Sequence, residues 1–177
     1  MCAIEVTPII GTERLVLRGL VRSDAQPISE LLADGHVAAM TANLPHPYGL
    51  ADAEALVDRA MARDWDREPG FVIEHRHFGL IGMLGIKLPA GSRPEIGFWL
   101  GRPYWDRGYA TEALRAGLKW VKRDWRRNVV VAGHFADNPA SGQVLCKAGF
   151  LYTGDVALVP CLARGVEVPT RMMVWLA

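Results

Sequence analysis

The run 107-RGYAT-111 places an arginine, a glycine and a threonine where a helical pattern begins. A helix start leaves backbone N–H groups without partners and presents the positive end of the helix dipole, so it favours an anion such as phosphate. Gly108 lets the backbone approach closely, Arg107 adds a charged fork, Ala110 keeps the first turn uncrowded, and Thr111 offers a hydroxyl among the free amides. The structural alternative is a glycine turn before an ordinary amphipathic helix. Two other phosphate loops are excluded, because the chain has neither a Gly-Lys-Ser/Thr Walker sequence nor a GxGxxG after a first strand.

Glu95 opens the apolar run 95-EIGFWL-100. On an alternating strand Glu95, Gly97 and Trp99 share a face, so Gly97 leaves room beside the carboxylate for a substrate or a water. That makes Glu95 a candidate general base, the alternative being a solvated charge at a strand end. Asn138 and Ser141 stand three apart at the start of a later helix, where the asparagine suits the N-cap before Pro139 and the serine suits a helix-start hydroxyl bonded to backbone. Cys146 has no evident histidine partner and reads as a buried thiol. His75 and His77 share a strand face but find no third ligand at useful spacing, so they read as surface residues and no metal is expected. His46, in 43-NLPHPYG-49, sits in a rigid proline-rich loop.

The elements that must position these residues follow from periodicity. Residues 14–20 alternate as a strand, and 24–34 form a short helix capped by Ser23 or Asp24. A second helix covers 52–65. Residues 71–76, 78–88 and 95–101 are rich in β-branched and aromatic side chains and read as an antiparallel meander. A helix runs from Tyr109 to about Arg123, with Ala110, Ala113, Leu114, Gly117, Leu118 and Val121 on one stripe and Lys122 and Arg123 at its negative end. A strand over 128–135, a helix over 139–149 and two closing strands near 150–158 and 171–176 complete the order β-α-α-β-β-β-α-β-α-β-β.

Three segments of this order resemble one family. The run 95-EIGFWLGRPYWDRGYATEAL-114 resembles the acetyl-coenzyme A motif of the GCN5-related N-acetyltransferases (GNAT), in particular their RimJ/RimL-type branch. Residues 12-TERLVLRGLVRSDA-25 resemble that branch's first strand and helix start, and 138-NPASGQVLCKAGF-150 its late Asn-x-x-Ser and Lys-x-Gly-Phe segment. The resemblance implies an α/β (α+β) fold: one GNAT-type domain over 1–177, with its core in 12–176 and a mixed, mostly antiparallel sheet of about seven strands with about four helices. It implies acetyl-CoA as co-substrate, with the pantetheine arm on the backbone of Trp99, Leu100 and Gly101 and on Asn138. The pyrophosphate would lie on the amides of Arg107, Gly108, Tyr109, Ala110 and Thr111. Trp105 stands where many members have glutamine or arginine, which fits the RimJ/RimL-type branch and removes one polar contact. Leu145 stands where many members have a tyrosine acid, so Ser141 becomes the candidate donor of a proton to the leaving thiolate, with Glu95 as base. The implied reaction is direct acetyl transfer to a primary amine, either a protein N-terminus or a small molecule. The alternative is a catalytically inactive CoA-binding sensor. A homodimer is among the assemblies the family implies.

Composition limits the other classes. At 177 residues the chain suits one compact domain, and its half-hydrophobic content excludes disorder. Twenty basic against nineteen acidic residues leave a formal charge of +1, which offers no global field for nucleic acid or an anionic membrane. The basic run 122-KRDWRRN-128 is explained by its place at a helix end, so nucleic acid is not an expected partner. No run reaches the length of a membrane span, and the first residues, with Glu5 in place of a basic segment, do not read as a leader. Three scattered cysteines, Cys2, Cys146 and Cys161, suit a reducing cytoplasm.

Overall fold

The structure, a computed structural model, describes residues 7–177. Cys2 and Glu5, on which part of the N-terminal reading rests, lie outside the described residues. The strands are β1 (Ile10–Gly11), β2 (Leu15–Arg18), β3 (Gly70–His75), β4 (Gly79–Lys87), β5 (Glu95–Leu100), β6 (Val129–Phe135), β7 (Leu151–Cys161) and β8 (Val166–Leu176). The α-helices are α1 (Ala25–Leu32), α2 (Gly35–Ala39), α3 (Leu50–Met61), α4 (Tyr109–Arg123) and α5 (Pro139–Lys147). All eight strands form one sheet in the order β1-β2-β3-β4-β5-β6-β8-β7, with every described pairing antiparallel except β5 with β6.

Strand alternation divides the core between the two faces of the sheet. Leu15, Leu17, Phe71, Ile73, Leu84 and Ile96 point to one face and pack with Ala113, Leu114, Leu118 and Val121 of α4 and Leu145 of α5. Val72, Leu80, Met83 and Trp99 point to the other, where they meet Ile28 and Leu32 of α1 and Ala53 and Val57 of α3. The stripe read on α4 is the buried one, apart from Ala110, which is only partly covered. Burying each large aliphatic side chain of this stripe contributes roughly 1.5–3 kcal/mol, enough to order a helix that is polar elsewhere.

The meander β3-β4-β5 has the expected order, and α4 has the expected limits. The additions are β1, only two residues long, and α2, only five. Strands β7 and β8 run longer than their apolar cores. Asp24 does not cap α1. Its carboxylate accepts from Val21 N and from both terminal nitrogens of Arg18 at 2.8–2.9 Å, while Arg18 Nε donates to Glu74. This network ties β2, β3 and the entry to α1 around a carboxylate whose side chain is 5% exposed. The two acceptors raise the Arg18 guanidinium above its ordinary value against the opposing effect of burial.

Candidate active-site cleft

The sheet opens between its two parallel strands. Strands β5 and β6 are in register only at Glu95 and Val131, where Val131 N also donates to the Pro94 carbonyl at 2.8 Å. Beyond that point they part, and β5 continues alone toward Leu100. Gly82, opposite Leu100 on β4, lets β5 press inward at this end, since a Cβ there would run into the Trp99 carbonyl. Gly101 N donates to the Ile81 carbonyl at 2.9 Å. Antiparallel alternation therefore turns the backbone of Trp99 and Gly101 toward β4, and that of Phe98 and Leu100 toward the gap.

A cleft of about 310 Å³, within the size range of small-molecule sites, fills the opening. Its walls are Phe98, Trp99 and Leu100 of β5, the turn residues Tyr104, Trp105, Asp106 and Gly108 with the first turn of α4 up to Thr111, and Asn138, Ala140, Ser141, Val144 and Lys147 of the α5 segment. Val37, Met40 and Thr41, at the end of α2, close the remaining side. Arg164, in the turn between β7 and β8, holds that side in place: its Nε donates to the Ala39 carbonyl at 2.7 Å and its Nη1 to Asp137 at 2.6 Å.

At one end of the cleft lies the start of α4. Gly108 adopts φ 78°, in the left-handed region, and Asp106 adopts φ 58°. Glycine takes this conformation without a Cβ penalty, and an aspartate tolerates it at modest cost. The first helical hydrogen bond is Glu112 N to the Gly108 carbonyl at 3.0 Å, so the amides of Tyr109, Ala110 and Thr111 precede the helix ladder. Lys147, Gly108 and Thr111 also border a second groove, along the outer face of α4, that carries Arg115, Lys119 and Arg123.

Behind the turn stands an ion pair absent from the sequence reading. The Glu112 carboxylate accepts from Thr12 Oγ1 at 2.7 Å, Arg14 N at 2.9 Å and Arg14 Nε at 2.7 Å. Arg14 Nη1 continues to the Arg107 carbonyl at 3.0 Å, and its guanidinium lies 4.6 Å from the centre of the Tyr109 ring. Burial works to raise the Glu112 carboxyl, but the hydrogen bonds from Thr12 and Arg14 outweigh it and hold the group below its ordinary value.

Asn138 and Ser141 face each other at the start of α5. Asn138 Oδ1 accepts from Ser141 N at 3.2 Å, which is the expected N-cap, and Asn138 Nδ2 donates to Ser141 Oγ at 3.0 Å. Ser141 Oγ is thus an acceptor toward Asn138 and makes no hydrogen bond to a backbone carbonyl among the described residues, so its own proton is free for the cleft.

Residues 14–151, more than three quarters of the chain, match the Acetyltransferase (GNAT) domain family. The chain belongs to this family. Its curated relatives include the uncharacterized N-acetyltransferase YoaA of Bacillus subtilis, 28% identical over 157 residues that cover 83% of this chain and 85% of that protein. Among solved structures, Mycobacterium smegmatis RimJ in complex with CoA-disulfide superposes with a TM-score of 0.82 at 21% identity, covering 96% of this chain and 88% of that one. Vibrio cholerae spermidine N-acetyltransferase, in complex with CoA and spermine, gives 0.78 at 18% identity over 93% and 96%. At these identities the likeness is one of fold.

In this GNAT chain Trp99, Leu100, Gly108, Tyr109, Ala110, Thr111, Asn138 and Ser141 come together in the cleft. Arg107 and Gly101 stand outside its walls, the first exposed and the second buried and bonded to Ile81. Glu95 is also outside. It is exposed at the closed end of the gap, on the α1–α3 face of the sheet, and a Cβ at Gly97 would meet nothing within 4 Å, so the space read beside the carboxylate is there. Phe98 is a cleft residue that sequence reasoning missed, because ladder parity depends on register. Trp105 keeps a polar contact, its indole N–H donating to the Leu100 carbonyl at 2.8 Å. That bond occupies an acceptor assigned to pantetheine.

Two other readings are corrected. Cys146 is exposed on α5, which buries Gly142 and Leu145 instead. His75 is 7% exposed, stacked on Phe78 at 4.4 Å and packed edge-on against Tyr109, and burial lowers its pKa below the usual value. Asn138 spends its carbonyl and one amide N–H within the chain, which leaves one further N–H for a ligand beside the cap. No group of three or more His, Cys, Asp or Glu able to hold a metal occurs among the described residues, and no described helix is long and apolar enough to cross a membrane.

Proposed function

We propose that this GNAT domain transfers an acetyl group from acetyl-CoA to a primary amine by direct attack within a ternary complex, in the manner of the RimJ/RimL-type branch. The observation that carries the reading is the opening of the sheet after the single β5–β6 pair, with the unpaired first turn of α4 at its end. The free amides of Tyr109, Ala110 and Thr111 suit a pyrophosphate, and the backbone of Phe98 with the Leu100 N–H offers the edge along which pantetheine would extend, the Leu100 carbonyl being taken by Trp105. The nucleotide end would leave past Lys147 into the groove beside α4.

Acceptor and donor then meet between Val37, Met40 and Thr41 on one wall and Asn138 and Ser141 on the other. Glu95, on the α1–α3 face, accepts the amine proton through water across the space above Gly97 and releases it to solvent, while Ser141 relays a proton to the departing thiolate and regains one from water in the same step. The amine nitrogen forms a bond to the acetyl carbon, the carbon–sulfur bond breaks, and CoA leaves as the thiol. The acceptor is a peptide N-terminus or a small amine such as a polyamine, and the reaction belongs in the cytoplasm.

The test is CoA release from acetyl-CoA against a panel of ribosomal-protein N-terminal peptides, polyamines, amino acids and aminoglycosides. At least one class should give amine-dependent release. With that acceptor, Glu95→Gln should lower kcat/KM by about 10², because the amide cannot accept the amine proton. Absence of amine-dependent release across the panel would remove the proposal, and an unchanged kcat/KM in Glu95→Gln would remove Glu95 from its role.

A further inference from the structure

We propose that Arg14 is a positioning residue, which, held by Glu112, keeps the turn before α4 in the conformation that binds the cofactor's pyrophosphate. The inference rests on the cofactor reading above and adds residues from the approach to β2 that no loop motif contains. Within four residues this turn has two left-handed positions, Asp106 at φ 58° and Gly108 at φ 78°. Such a segment relaxes unless its surroundings over-determine it, and relaxation at Asp106 would swing the Arg107–Gly108 peptide and with it the amides that face the cleft. The carbonyl between the two left-handed residues, that of Arg107, is the one Arg14 Nη1 holds at 3.0 Å.

Arg14 can do this because it is itself fixed on three sides. Its backbone N–H and Nε bond the two oxygens of Glu112, its guanidinium lies over the Tyr109 ring, and Thr12 shares the first of those oxygens. Glu112 and Tyr109 belong to the first turn of α4, so turn, helix start and the approach to β2 form one closed unit across 98 residues of sequence. The guanidinium also packs behind Gly108, where a Cβ would come to 3.4 Å from Nη2. Lysine cannot reproduce this arrangement, since one ammonium cannot reach the carboxylate and the carbonyl with a rigid fork. Glutamine at 112 replaces an acceptor by a donor that faces Arg14 Nε.

The experiment compares two donors, acetyl-CoA and S-acetylpantetheine, which lacks the pyrophosphate, in the wild type and in Arg14→Lys, Arg14→Met and Glu112→Gln. All three variants should raise the KM for acetyl-CoA about tenfold, a loss of about 1.4 kcal/mol in binding, with kcat within about twofold of wild type. Their kcat/KM for S-acetylpantetheine should stay within about twofold of wild type, which a general loss of structure would not allow. A KM for acetyl-CoA unchanged in all three, or an equal loss with both donors, would overturn the role. Failure of the wild type to bind CoA, measured by calorimetry, would remove this inference and the cofactor reading together, whereas a wild type that binds with unaffected variants removes only this one.

Discussion

Ser141→Ala is expected to lower kcat about 10²–10³-fold while leaving the KM for acetyl-CoA within about threefold of wild type. The expectation comes from the direction of one hydrogen bond. Asn138 Nδ2 donates to Ser141 Oγ at 3.0 Å, and Asn138 Oδ1 is already taken by Ser141 N at 3.2 Å, so the serine proton has no partner in this pair. A hydroxyl that receives a hydrogen bond at oxygen and shares its own proton with no described group can give that proton to a developing thiolate in the proposed reaction. Alanine removes the proton and keeps the backbone N–H to Asn138, so the cap of α5 survives and folding should be nearly unchanged. The loss should shrink with an acetyl donor whose thiol is more acidic, because such a leaving group needs less protonation. Steady-state rates with acetyl-CoA and with an aryl thioester check both points. A kcat within threefold of wild type for Ser141→Ala would assign the proton to another group.

The largest effect on stability is expected from Asp24→Ala, at about 3–5 kcal/mol. The substitution strands the Arg18 guanidinium in a partly covered site with Glu74 as its remaining carboxylate and leaves Val21 N without its acceptor. Urea unfolding followed by tryptophan fluorescence measures the change. The exposed pair Arg22–Asp58, 3.7 Å apart with side chains 81% and 61% exposed, supplies the control, and Asp58→Ala should change stability by less than about 1 kcal/mol. Equal effects from the two substitutions would show that burial of Asp24 carries no special weight.

What was legible in the sequence followed from local physics. Helix α4 was read at its observed limits because Gly108, the buried stripe and the terminal Lys122 and Arg123 all act within the helix itself. The glycine before it and the asparagine before α5 were likewise read correctly as helix starts. Strand β1 and helix α2 are too short for periodicity to register, and both are held by neighbours. His75 was misread as exposed, in a strand whose register with β4 shifts between Ile73 and Glu74, which a repeat of two cannot anticipate. Cys146 was misread because α5 buries only a narrow stripe through Gly142 and Leu145.

The candidate site was legible in its members more than in their mutual arrangement. Eight of the proposed residues line one cleft, yet the exchange of Trp99 and Gly101 for Phe98 and Leu100 as the open backbone edge depends on ladder parity. Glu112 carries no signal of its own in the sequence, since its partners Thr12 and Arg14 lie far away along the chain. The intrachain bond from the Trp105 indole N–H to the Leu100 carbonyl could not be read from the sequence, since it depends on how the turn folds back on β5.

The most direct measurement is calorimetric titration of CoA into the wild-type protein beside Ala110→Glu, a substitution that sets a carboxylate among the free amides at the start of α4. The account predicts a Kd on the order of micromolar for the wild type, in the range where enzymes commonly hold their substrates, and at least a tenfold weaker Kd for Ala110→Glu at unchanged thermal stability. No binding heat in the wild type, or equal affinity in the two proteins, would contradict the placement of the pyrophosphate at this helix.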